Sequence, residues 1–142
     1  AQYHQGWKDM GVFHEIDAGC GAFLFVRREI LEKLNGWDES YFFYGEDLDL
    51  CYRIKELGWK IVFFPDIDVL HYKGATSGLR KESMDITKKS DGENRIKVAG
   101  ASIQAWKIFY EKFYKDKYPI LITQLVLSGI KIKGLFRIFK FR

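Results

Sequence analysis

The segment YFFYGEDLDLCYRIKELGW, Tyr41 to Trp59, places Glu46, Asp47 and Asp49 within four positions, directly after four aromatics and a glycine. Carboxylates so grouped either complement the positive end of a helix or work as a general acid or base. Asp47 precedes Leu50, Cys51 and Ile54 by three, four and seven positions, so its side chain leaves the first turn on the side of the apolar stripe. Burial and the helix N-terminus act on such a group in opposite directions, and their balance decides whether it serves as a base. Asp49 has a simpler reading. Arg53 follows it by four residues, the spacing of an exposed ion pair contributing a few tenths of a kcal/mol. Glu46 fits a dipole-complementing role. The glycine and aromatics ahead of these acids suit a concave wall on which a sugar can stack. His71, before the small residues of HYKGATSG, is either a structural histidine or a ligand for a metal or phosphate.

These residues need elements to position them. Ala22 to Val26 is apolar without interruption and predicts a buried strand reached through glycines. RREILEKLN then sets Ile30, Leu31 and Leu34 at helical spacing, stopped by Asn35 and Gly36. A second helix is expected from about Glu46 to Leu57, with Leu50, Cys51, Ile54 and Leu57 as one apolar stripe and Gly58 as its stop. WKIVFF reads as a strand ended by Pro65, and IDVLHY as a further extended segment. This alternation predicts an α/β layer structure. Gly74 to Arg95 is polar and reads as a loop with one helical turn at most. From Ile96 onward Ile103, Trp106, Phe109, Tyr110 and Phe113 recur at three and four, and Pro119 ends that helix and can start another.

A chain of 142 residues, 47% hydrophobic and 17% aromatic, is long and apolar enough for a real core. Cys20 and Cys51 have no CxxC spacing, and a reducing compartment with both as small hydrophobes is the simpler expectation. The opening AQYHQGWKDM is polar and predicts no secretory signal. The net charge is +4, yet from Pro119 on there are five bases and no acid, so the basic character belongs to the tail and gives no sign of a nucleic-acid groove. The uncharged stretch Tyr118 to Ile130 has 13 residues, short of the ~20 a membrane span needs. It is followed by KIKGLFRIFKFR, in which bases interleave with Ile, Leu and Phe. Two readings stay open for 119–142: a helix lying in a membrane interface, or one packed on its own domain with bases outward.

Gly21 to Gly78 as a whole resembles the C-terminal half of the catalytic domain of family 2, GT-A fold, inverting glycosyltransferases, in their rhamnosyltransferase-like branch. Four motifs in order carry the resemblance: the GAF-hydrophobic-RR strand, GWDESYF, EDLDLCYR, and a proline-ended strand followed by HYKG. The resemblance implies an acceptor-side half of a GT-A (nucleotide-diphospho-sugar transferase) fold over 1–78, a polar flexible loop over 79–97, and a helical extension with a basic amphipathic tail over 98–142. Asp47 matches the family's general base, which takes the proton from the acceptor hydroxyl as it attacks the anomeric carbon. His71 matches a histidine that helps hold a divalent cation, Mn or Mg, on the diphosphate leaving group. Trp37, Asp38 and Glu39 fall on the acceptor wall with Glu46 beside the base, and Gly21 and Ala22 fall where close backbone approach is required.

The family's nucleotide-binding half and its D-x-D metal motif are expected ahead of this region, where only about twenty residues stand. Asp66 and Asp68 form a D-x-D string, but it lies on the proline-ended strand just before His71 and reads as surface turn. Thr76 replaces the usual serine after H-x-x-G-x. The implied partners are a nucleotide-diphospho-sugar donor, with rhamnose as one candidate sugar, and a saccharide or lipid-linked saccharide acceptor, at the cytoplasmic face of a membrane. An isolated half-sheet exposes an edge, so a homodimer or other self-association is expected. The competing reading is a non-catalytic interaction or membrane-docking module. A hydrolase fits poorly, since carboxylates two apart on one turn diverge and glycosidic hydrolysis needs groups facing across a bond.

Overall fold

The structure, a computed structural model, describes residues 7–71 and 92–139. It is mostly helical with one small sheet, and it divides into two compact units. Within the described residues, the first unit holds the chain up to Glu39 together with Glu46–His71; the second holds Ser40–Gly45 and the residues from 92 on.

In the first unit, β1 (His14–Ile16) pairs antiparallel with β2 (Ile61–Phe63), with His14 opposite Phe63 and Ile16 opposite Ile61. Between them in sequence lie α1 (Arg28–Lys33) and α2 (Glu46–Glu56). The apolar stripe of α2 faces inward at three of its four expected positions: Leu50, Cys51 and Ile54 are buried with Ile30 and Ile61, and Ile16, Ala18, Leu24, Val26, Leu31 and Leu34 pack around them, whereas Leu57 lies just past the end of the helix and is 46% exposed. Each fully buried Leu or Ile in such a cluster contributes about 1.5–3 kcal/mol.

α1 ends where Asn35 and Gly36 predict. Both adopt left-handed backbone, at φ 55° and 71°, and the Gly36 N–H donates to Leu31 O at 2.8 Å. That closes the helix with a Schellman-like turn.

The strand expected over Ala22–Val26 does not form. Leu24 and Val26 turn inward while Phe23 and Phe25 turn out, Phe25 being 84% exposed, so burial has the period of a strand without a hydrogen-bonded neighbour among the described residues. The extended segment expected over 67–72 likewise joins no ladder across its described residues, 67–71. An apolar run specifies which side chains are buried; a ladder needs a partner strand as well. The only sheet among the described residues is therefore two three-residue strands, antiparallel rather than layered α/β.

The second unit is a helical hairpin of α3 (Gly92–Phe113) and α4 (Ile120–Phe139), joined through a 3-10 turn at Lys115–Lys117. α3 begins four residues before Ile96, inside the segment expected to be loop. The remainder of that loop, with Gly74, Thr76 and Gly78, lies outside the described residues. Pro119 does start the next helix: its carbonyl accepts from Ile122 N and Thr123 N at 3.0 and 3.1 Å. The hairpin runs antiparallel, with Ser102 against Arg137, Ile103 against Gly134 and Trp106 against Lys133. A Cβ on Gly134 would stand 3.0 Å from Ile103 Cγ2, so glycine permits the close approach. Tyr41 is buried in this unit beside Gly45, which also has to be glycine: its φ is 93°, and a Cβ there would stand 3.1 Å from both Ala105 Cβ and the Tyr41 ring. Tyr41 is thus core and not a wall for ligand.

Candidate active site

Three of the expected site residues converge. The Gly21 N–H donates to Asp47 Oδ2 at 3.1 Å, and a Cβ placed on Gly21 would lie 3.8 Å from both that oxygen and Trp37 Cη2. The Asp47 carboxylate and the Trp37 ring edge therefore flank the bare Cα of Gly21. Asp47 Oδ1 accepts from Leu48 N at 2.8 Å, so each carboxylate oxygen is oriented by a backbone donor. Asp47 is half-buried, and Trp37 is 45% exposed.

The segment carrying Gly21 is tied along α2 by a repeating set of contacts. Asp17 meets Lys55 (2.6 Å), Gly19 N meets Cys51 Sγ (3.4 Å) and Gly21 N meets Asp47. Each two-residue step of the segment corresponds to one four-residue step back along the helix. The lengths match, because two extended residues span ~6.8 Å and four helical residues rise ~6 Å. Cys51 is wholly buried at the centre of this strap. Burial is the main cause that pushes its thiol up, the Asp47 charge adds to it, and the Gly19 hydrogen bond and Lys55 oppose.

The loop carrying Trp37 and Asp38 is held from the same helix. Arg53 donates through Nε to Asp49, through one terminal nitrogen to Leu34 O at 2.8 Å and through the other to Gly36 O at 3.0 Å. The pairing of Asp49 with Arg53 is as the spacing predicts, but its setting is not. Asp49 is 0% exposed, and its partner caps the end of α1 instead of lying in solvent. Sequence reasoning missed this positioning role of Arg53 and those of Asp17, Gly19 and Lys55. One signal was available for Arg53, since the last carbonyls of α1 must find donors.

Asp38 follows Trp37 and is half-buried, and Ala22 is exposed beside Gly21. Glu46 is half-buried with Oε2 inaccessible and without a hydrogen-bond partner, so it is not the fully solvated first-turn acid that a dipole-complementing role needs. His71 lies exposed beyond β2. Among the described residues no group of three or more His, Cys, Asp or Glu side chains is placed to hold a metal ion. A single imidazole does not make a cation site, and the described residues do not supply the rest of one.

The model of the glycosyltransferase-like family 2 matches residues 10–85, a span that contains Gly21, Trp37, Asp47 and His71 and exceeds half of the chain. The chain belongs to glycosyltransferase-like family 2. Among family 2 relatives, it is 43% identical over 58 residues to an N-acetylglucosaminyl-diphospho-decaprenol L-rhamnosyltransferase of Mycobacterium tuberculosis, covering 41% of this chain and 19% of that protein. It is 37% identical over 57 residues to the rhamnosyltransferase WbbL of Escherichia coli, covering 40% and 22%. It is 44% identical over 45 residues to a probable glycosyltransferase, YdaM, of Bacillus subtilis, covering 32% and 10%. The matched region of the chain thus spans about a fifth or less of these curated relatives. No solved structure gives a significant match.

Proposed function

We propose that this chain is the acceptor-side part of an inverting glycosyltransferase of the GT-A fold, moving a sugar from a nucleotide-diphospho-sugar to a hydroxyl of a saccharide or lipid-linked saccharide. The observation that carries the reading is the convergence of Asp47, Gly21 and Trp37 within the family-matched span. Asp47 is the general base. Its carboxylate removes the acceptor hydroxyl proton as that oxygen attacks the anomeric carbon, and inversion requires one such group. The Gly21 and Leu48 N–H groups aim the carboxylate, and the Trp37 ring offers the apolar edge against which an acceptor sugar packs. A side chain at position 21 would occupy the space between them.

Asp38, Glu46 and Ala22 extend the acceptor surface around this centre. His71 contributes one ligand to a divalent cation whose remaining ligands, with the nucleotide site, come from outside the described residues. Similarity to two rhamnosyltransferases supports a deoxyhexose donor and a role in building cell-surface polysaccharide.

The test is a transfer assay on the protein of the complete reading frame. Asp47→Asn is expected to lower turnover on the order of 10²–10⁴-fold with an unchanged circular dichroism spectrum. Transfer at the parental rate would overturn the base assignment.

A further inference from the structure

α4 has two apolar sides. One packs on α3 through Thr123 and Gly134, both buried. The other carries Leu121, Leu125, Ile132, Leu135, Phe136 and Phe139, all exposed, with Leu125 and Phe136 at 73%. Their spacings of four, seven, three, one and three keep these six residues within an arc of about 100° on one side of the helix. Lys131 and Lys133 lie at its two edges, Lys133 with its ammonium 4.3 Å above the Trp106 ring. The helix has no acidic residue, and no helix among the described residues is long and apolar enough to cross a membrane.

A second copy of this chain would bring one such stripe, with its lysines, against another, and nothing acidic on α4 would offset the charge. An anionic lipid surface offsets it and accepts the apolar side chains. We infer that the outward stripe of α4 docks this protein on anionic membranes, lying in the interface with Leu125 and Phe136 in the acyl boundary and Lys131 at the headgroups.

The experiment is co-sedimentation of the full chain with vesicles of phosphatidylcholine alone or with roughly one third phosphatidylglycerol, beside light scattering of the lipid-free protein. Wild type is expected to partition onto the anionic vesicles, and Leu125→Asp with Phe136→Asp to lower the partition coefficient by on the order of a hundredfold. Lys131→Gln should lower it by about fivefold on anionic vesicles and leave the neutral ones unchanged. Both stripe positions are exposed, so circular dichroism should not move. Equal partitioning of wild type and the double variant, or no partitioning by either, overturns the inference. So does a wild-type dimer that the double variant converts to monomer while neither binds vesicles, which would assign the stripe to a second copy.

Discussion

α2 and α4 are both helices with an apolar stripe, yet they use their remaining surface in opposite ways. On α2 the polar residues are committed to the chain around it: Asp49 is buried against Arg53, Arg53 caps α1, and Asp47 and Lys55, with Cys51 of the stripe between them, each hold one residue of the 17–21 segment. On α4 the two fully buried residues are small, Thr123 and Gly134, and six large apolar ones form an exposed stripe. The contrast teaches that hydrophobicity alone does not tell inside from outside. α2 buries charge because its charges have partners; α4 meets α3 closely at a glycine and leaves Leu and Phe exposed on its opposite side.

The sharpest way to break this comparison is at Asp49. Asp49→Ala leaves the Arg53 guanidinium largely buried without its carboxylate and should cost about 3 kcal/mol in urea unfolding. A cost below about 1 kcal/mol would mean that the pair is not the brace it looks like. Gly134→Leu asks the matching question of α4. Overpacking against Ile103 should cost about 2 kcal/mol, whereas Leu125→Gln on the outward stripe should fall within about 0.5 kcal/mol of wild type. A large loss for Leu125→Gln would place that stripe against protein.

The strap over α2 can be read chemically. Alkylation at mildly alkaline pH should modify the exposed Cys20 quickly and Cys51 only at the rate of unfolding. Because burial pushes the Cys51 thiol up, the unfolded chain loses that proton first. Its contribution to stability is thus complete below the ordinary thiol range and falls as pH rises through it, a slope that Cys51→Ala should remove. The smallest effect is expected at Lys55→Ala, a few tenths of a kcal/mol, since its ion pair with Asp17 is largely exposed.

Much of the site could be read in the chain, and the unread part has a common cause. The helix bearing the acids, its stripe, its glycine stop and the Asn35–Gly36 turn are local and follow from spacing. The depth of the acids does not follow: Asp47, whose spacing of three, four and seven predicts an inward carboxylate, is half-buried, and Asp49 is the one wholly buried. The setting of Arg53 could not be read, since its partners Leu34 and Gly36 lie 19 and 17 residues away. The Ala22–Val26 run misled for the same reason: alternation of burial is local, and a ladder partner is not.

The sequence by itself determined where α2 begins and ends and which of its faces is apolar. Only the tertiary structure decided that Gly21, 26 residues upstream, supplies the N–H on Asp47, that Trp37 stands on the other side of that glycine, and that Asp49 and Arg53 brace the turn between. The physical reason is that side-chain direction is set within a few residues by helix geometry, whereas hydrogen-bond partners are set by which distant segments the packed core brings within about 3 Å.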